Sequence, residues 1–320
     1  MMEWTDRHCR YFLRLISKRA LLYTEMVTAD AILHGKPERL LQYDPAEHPV
    51  ALQLGGGEPR SLAEAARIGA EFGYDEINLN VGCPSNRVQS GKFGACLMAE
   101  PDVVADCVAS MRAKVSVPVT VKCRIGIDDQ DAEASLDGFI DRVAQGGCSI
   151  FVLHARKAWL EGLSPKENRD VPPIDYERVY RLKRRRPDLT IIVNGGIASL
   201  SEARAHLAQV DGVMLGRAAY HDPYLLAKVD SEFFGEERTA PSRVEVLDRF
   251  LPYAEKELAR GVRLNQMTRH ILGLLHGQPR ARAFRRLLSE EAHLEGAGIG
   301  VLKAARRVAA GERLPAIAAE

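Results

Sequence analysis

The chain is predicted to fold as a (β/α)8 TIM barrel whose first strand is missing, followed by a small all-α helical domain. Three observations lead there. Short apolar, β-branched runs alternate with helical patterns, which demands a parallel sheet covered on both sides or closed on itself. The early glycine cluster Gly55-Gly56-Gly57 lacks the G-x-G-x-x-G spacing of an open dinucleotide-binding sheet, so closure is favoured. The chain beyond a Gly, charge and Pro-rich break is helical throughout in its pattern.

The opening stretch TDRHCRYFLRLIS reads as a helix. Strand candidates follow at residues 21–27 (LLYTEMV), 49–55 (PVALQLG), 75–81 (DEINLNV), 117–125 (VPVTVKCRI), 150–155 (IFVLHA), 190–196 (TIIVNGG) and 212–217 (GVMLGR). Helices are expected between them, from Ser61, Val103 and Ser199. Seven strands fall one short of a full barrel: either the eighth lies upstream of Met1, with the start codon assigned too late, as expected here, or the chain is a native seven-strand variant. Residues 1–232 are therefore read as the barrel carrying the active site, 233–243 as a linker and 244–320 as a helical domain. The final LPAIAAE reads as a frayed end.

Composition is that of a soluble globule: of 320 residues, 46% are hydrophobic and 27% charged, which excludes disorder and coiled coil. No apolar run is long enough to span a bilayer and the first residues lack a secretory signal, so a cytoplasmic, membrane-free protein is expected, as a monomer. The six cysteines form no C-x-x-C pair, so no metal site is expected. Charge is unevenly divided. Arg260, Arg263, Arg269, Arg280, Arg282, Arg285 and Arg286 form a run with no acid before Glu290, which fits either a polyanionic partner or a plain solvated face.

In this fold the site is built at the C-terminal ends of the strands. Those positions carry Glu25, Gln53, Asn78 and Asn80 with Cys83, Lys122 with Arg124, His154 with Arg156, Asn194, and Gly216 with Arg217. The N-G-G-I segment with Asn194, Gly195 and Gly196, together with Gly216-Arg217, puts bare backbone amides and a guanidinium where such barrels bind phosphate. Lys122, inside the apolar run VTVKC, needs a partner that a flavin ring would provide, and Gln53 can bond the same ring edge. Phosphate grip, buried lysine and amide together indicate FMN. His154 is either a further contact to that group or a core histidine. Cys83, on a loop between a glycine and a proline, is either the acid of the site or an inert packing thiol.

At these residues the sequence resembles the tRNA-dihydrouridine synthases, closest to their A subfamily. The resemblance is carried by GYDEINLNVGCPS, VPVTVKCRIGIDD, HARKAWLEGLSPKENR, NGGI, DGVMLGRAAY and RRLLSE, and runs across almost the whole chain. It implies FMN-dependent reduction of the uridine C5–C6 double bond in the tRNA D-loop, at positions 20 and 20a, with NADPH as hydride donor. By the same resemblance Cys83 is the general acid. FMN contacts fall on Met1, Gln53, Lys122, His154, Asn194, Gly195, Gly196, Gly216 and Arg217, and tRNA contacts on Asn80, Lys166, Arg169, Arg282 and Arg285. The family opens on a strand ending in A-P-M, of which Met1 alone is present, so an upstream-extended chain is expected to hold FMN more tightly.

Two other readings compete. One is an FMN barrel acting on a free pyrimidine, similar to dihydroorotate dehydrogenases. The other is a tRNA-binding module without catalysis.

Overall fold

The computed structural model describes residues 1–85, 88, 90–237 and 239–312. The segment LPAIAAE lies outside the described residues. The chain divides into two compact units: the first comprises Met1–Met2, Leu21–Tyr43 and Pro49–Gly216, the second Glu3–Ala20, Asp44–His48 and the chain from Arg217 onward.

The second unit opens with α1 (Arg7–Ile16), capped by the Asp6 carboxylate, which accepts from the backbone N–H groups of His8 at 2.9 Å and Cys9 at 3.0 Å. The sheet of the first unit positions the candidate site.

That sheet contains β1 (Leu22–Thr28), β2 (Val50–Gly55), β3 (Glu76–Val81), β4 (Val119–Arg124), β5 (Ile150–His154), β6 (Thr190–Asn194) and β7 (Gly212–Met214). All pairings are parallel and the spatial order is the chain order. Each strand lies where its apolar run predicts. Parallel neighbours in sequence order need a crossover for every return: the short helices Ala29–His34 and Pro37–Leu40 lie in the β1–β2 return, and α2 (Pro59–Glu71), α3 (Pro101–Arg112), α4 (Ala134–Gln145), α5 (Tyr176–Arg185) and α6 (Leu200–Leu207) supply the other five. This is the TIM-barrel-like architecture that the alternating pattern predicts.

Two helix starts lie earlier than expected. The helix predicted from Ser61 begins at Pro59, because Glu58 caps it by accepting from the N–H groups of Arg60 and Ser61, and proline suits the first turn. The helix predicted from Val103 likewise begins at Pro101. Ser199 does cap α6, accepting from Glu202 N at 3.2 Å.

Side-chain parity fixes what each face of the sheet does. A Cβ placed on Gly69 of α2 would lie 2.5 Å from Leu52 and 3.1 Å from Ile77, so the odd members of β3 and their neighbours face the helices. Ile77, Leu79 and Val81 are fully buried there. The alternate residues Glu76, Asn78 and Asn80 point the opposite way, into the barrel. Barrel interiors are ordinarily filled by branched apolar side chains, and this one is polar along β3.

In the second unit, Tyr11 of α1 stacks on Tyr253 of α8 (Arg243–Ala259), with ring centroids 3.8 Å apart. His8 Nδ1 is hydrogen-bonded to the Tyr253 hydroxyl at 2.7 Å. Arg10 Nε donates to the buried Glu47 carboxylate at 2.6 Å and Arg14 Nε to the Glu47 carbonyl at 3.0 Å. A reciprocal Ser242–Glu245 capping box starts α8. The unit also holds α9 (Leu264–Thr268), α10 (Ala281–Glu291) and α11 (Ile299–Ala310). Among the described residues no helix is long and apolar enough to cross a membrane.

Candidate active site

The C-terminal halves of β2 and β3 and the loop after β3 bring Gln53, Asn80 and Cys83 together. In register, Gln53 lies beside Asn78, Asn78 beside Thr120, and Asn80 beside Lys122. Asn80 Nδ2 donates to Gln53 Oε1 at 2.8 Å, and Asn80 Oδ1 accepts from the backbone N–H groups of Gly82 and Cys83, both at 3.0 Å. One side chain therefore joins the strand to the loop that carries the thiol. On the far side of that loop the Cys83 carbonyl accepts from Ala95 N at 2.9 Å. Cys83 is half-buried, with Ser85 Oγ 3.6 Å from its sulfur. Cys9, Cys107, Cys123 and Cys148 are buried, and burial raises all four thiols.

Lys122 Nζ donates to Asn194 Oδ1 at 3.1 Å, and Asn194 Nδ2 donates to the Met214 carbonyl at 2.8 Å. The asparagine is thereby oriented with its oxygen towards the ammonium. Among the described residues no carboxylate pairs with Lys122. Burial, with the Arg124 guanidinium beside it, holds the ammonium down to about 8 from its ordinary value.

Gly195 and Gly196 follow with φ of +114° and +71°, which ends β6 at Asn194, short of the predicted strand limit. These angles suit glycine, and a Cβ on Gly195 would lie 3.2 Å from His154 Nε2. The His154 ring therefore rests against bare backbone, and the Gly195 carbonyl accepts from the Tyr176 hydroxyl at 2.5 Å. Met1 reaches the same rim: its sulfur is 3.6 Å from where a Cβ on Gly216 would lie. Arg217 follows directly in the chain and begins α7 (Arg217–His221) of the second unit.

A buried arginine ties the thiol loop to the loop with Lys166 and Arg169. Arg124 donates to the carbonyls of Gly82 at 3.0 Å, Lys157 at 2.9 Å and Asn168 at 2.9 Å. Burial lowers this guanidinium to about 10. Asn168 is fully buried and clamps Trp159 on both sides: it accepts from Trp159 N and donates to the Trp159 carbonyl, each at 2.8 Å. The short 3-10 turn Glu167–Arg169 is thereby held in place, with Lys166 at its N-cap position.

Arg282 and Arg285 are exposed on α10, spaced to share a face with Arg286 and away from the buried Phe284 and Leu288. No ion pair among the described residues engages them. The seven-arginine run is not uniform. Arg260 pairs with Glu257 at 2.8 Å and Arg269 with Asp6 at 2.7 Å, so those two charges are already answered within the protein.

Glu76, Thr120 and Asn168 are candidates that the sequence alone does not single out, and Asn78 stands out there only as a strand-end polar group. The every-second-residue spacing of Glu76, Asn78 and Asn80 in DEINLNV carries that signal. Asn168, in a loop, gives none.

The residues present fit a phosphorylated, electron-accepting ring. A half-buried ammonium that pairs with no carboxylate among the described residues calls for an anionic or polarisable group, and the Gly195-Gly196 backbone offers amides without side-chain obstruction.

Residues 1–310 match the family described as Dihydrouridine synthase (Dus). A tRNA-dihydrouridine(20/20a) synthase of Vibrio cholerae serotype O1 is 60% identical over 306 residues, covering 95% of this chain and 93% of its own. Its counterpart in Escherichia coli strain K12 is 59% identical over 314 residues, covering 98% of this chain and 91% of its own. Among solved structures, a 2-naphthoyl-CoA reductase complex aligns with a TM-score of 0.52 at 13% identity, covering 71% of this chain and 47% of that one, a likeness of fold alone.

Proposed function

Because the chain belongs to the dihydrouridine synthase family, we propose that it reduces uridines 20 and 20a in the tRNA D-loop to 5,6-dihydrouridine, in the cytoplasm, with FMN and NADPH. The observation that carries this reading is the convergence of Gln53, Asn80 and the Cys83 loop through hydrogen bonds, beside a part-buried Lys122–Asn194 pair.

When bound, FMN would supply hydride chemistry towards C6 of the uracil, with NADPH as the source of the reducing equivalents. Lys122 and Gln53 would hold its ring edge. Asn194, Gly195, Gly196, Gly216 and Arg217 would hold its phosphate, with His154 and Met1 at the rim. As hydride arrives at C6, negative charge develops towards C5 and O4, and Cys83 Sγ–H donates its proton to C5. Being half-buried, the thiol regains a proton from solvent.

A uridine must leave its stack to reach such a site, which costs less in a loop than in a paired stem. Asn80, Lys166 and Arg169 receive the flipped nucleotide and its flanks, with Arg282 and Arg285, in the helical domain over 244–320, on the tRNA backbone. The Arg124 bonds support this division, because they fix the Lys166–Arg169 turn relative to the Cys83 loop. The test is mass spectrometry of D-loop fragments after unmodified tRNA is incubated with the protein, FMN and NADPH. A gain of two mass units at positions 20 and 20a is expected. Reduction of free uracil with tRNA untouched would refute the reading.

A further inference from the structure

The polar face of β3 belongs to one continuous hydrogen-bonded chain. Glu76 Oε1 accepts from the Tyr23 and Thr120 hydroxyls, both at 2.7 Å. Thr120 thus commits its only proton to Glu76, so its oxygen is left to accept, and it takes Asn78 Nδ2 at 2.7 Å. That turns Asn78 Oδ1 the other way, where it accepts from Gln53 Nε2 at 2.9 Å. Gln53 Oε1 is consequently the atom that faces Asn80 Nδ2. The remaining oxygen of Asn80 takes the Gly82 and Cys83 N–H groups. A side-chain amide has one donor end and one acceptor end, so the sense of the first bond dictates each later one.

We propose that Glu76 is a positioning residue: the acceptor it places under Thr120 sets the direction of this chain, fixes which end of the Gln53 amide is offered to the site, and keeps an oxygen under the Cys83 loop. Were the sense reversed, Asn80 would turn its NH2 group towards two N–H donors and release the loop. Glu76, Asn78 and Thr120 are buried, so water does not substitute readily for a missing link. Burial raises the Glu76 carboxyl while the two hydroxyl bonds lower it, and Oε1 accepts both hydroxyls whether or not Oε2 carries a proton. The catalytic meaning of this device rests on the function proposed above; its geometry does not.

The test compares Thr120→Val, which removes the relaying hydroxyl at nearly constant shape, with Thr120→Ser, which keeps it. A second pair, Glu76→Met and Glu76→Gln, removes or keeps the acceptor. Amide hydrogen exchange is followed in the full chain as purified. The Gly82 and Cys83 amides should exchange at least about tenfold faster in Thr120→Val and Glu76→Met, and within about twofold of the parent in Thr120→Ser and Glu76→Gln. Amides of β5 and β6 should hold their rates, separating this effect from loss of fold. On tRNA, kcat for Thr120→Val should fall about tenfold at unchanged KM. Unaltered exchange at Gly82 and Cys83 in Thr120→Val overturns the proposal, as does a Thr120→Ser variant as fast as Thr120→Val. If the parent made no dihydrouridine while the exchange pattern held, the proposed function would fail and the positioning role would stand.

Discussion

Replacing Lys122 with methionine should stabilise the FMN-free protein at neutral pH while weakening its hold on FMN. The Lys122 ammonium is held at about 8, against an ordinary value of 10.5, because burial disfavours its charge. At ~1.4 kcal/mol per pKa unit, this difference makes the charged lysine cost the FMN-free fold at most about 3.5 kcal/mol, less where the part-exposed ammonium is screened. The cost applies in full below pH 8, where folded and unfolded lysines are both protonated. Between about pH 8 and 10.5 the unfolded chain binds the extra proton, so stability rises with pH and the cost vanishes. Lys122→Met lacks this titration. Its advantage in urea unfolding should therefore be largest at pH 7 and fade by about pH 10.5. Adding FMN should reverse the order at pH 7, since only the parent places a cation against the ring. A Lys122→Met variant less stable than the parent without FMN, or an advantage independent of pH, would refute the reasoning.

Cys83→Ala should bind FMN and oxidise NADPH as the parent does while forming no dihydrouridine, checked by absorbance at the NADPH band alongside nucleoside mass spectrometry. Removing Arg282 and Arg285 together should weaken tRNA binding and lower the log–log salt slope by roughly 1.4–1.8, read from titrations at several ionic strengths. Asn168→Ala leaves the Trp159 N–H and carbonyl without their partner. It should cost about 2–4 kcal/mol in denaturant unfolding and open the Lys166–Arg169 turn to limited proteolysis.

The seven strands were legible because each is a short β-branched run bounded by turn residues, and register then follows from parallel order. Gln53, Asn80 and Cys83 were legible as strand-end groups, since in this architecture position along a strand predicts position at the rim. Thr120 was not, because its importance comes from lying beside Asn78, 42 residues away in the chain. The arginine run shows the same limit. The Arg260–Glu257 pair can be read from helical spacing, but the Arg269–Asp6 pair spans 263 residues and only folding reveals it. Asn168 lies in a loop, where no periodicity marks which polar residue turns inward.

The opening helix α1 has its stacking partner Tyr253 more than two hundred positions downstream. At ribosomal speeds of ~5–20 residues per second, the nascent helix waits roughly 10–50 s for that ring to be synthesised. Its apolar stripe of Phe12, Leu15 and Ile16, destined for burial, is meanwhile exposed to aggregation or to capture by chaperones. Helix α1 is thus made well before the partner it docks on, and slowing translation after β7 should lower the soluble yield more than slowing it beforehand.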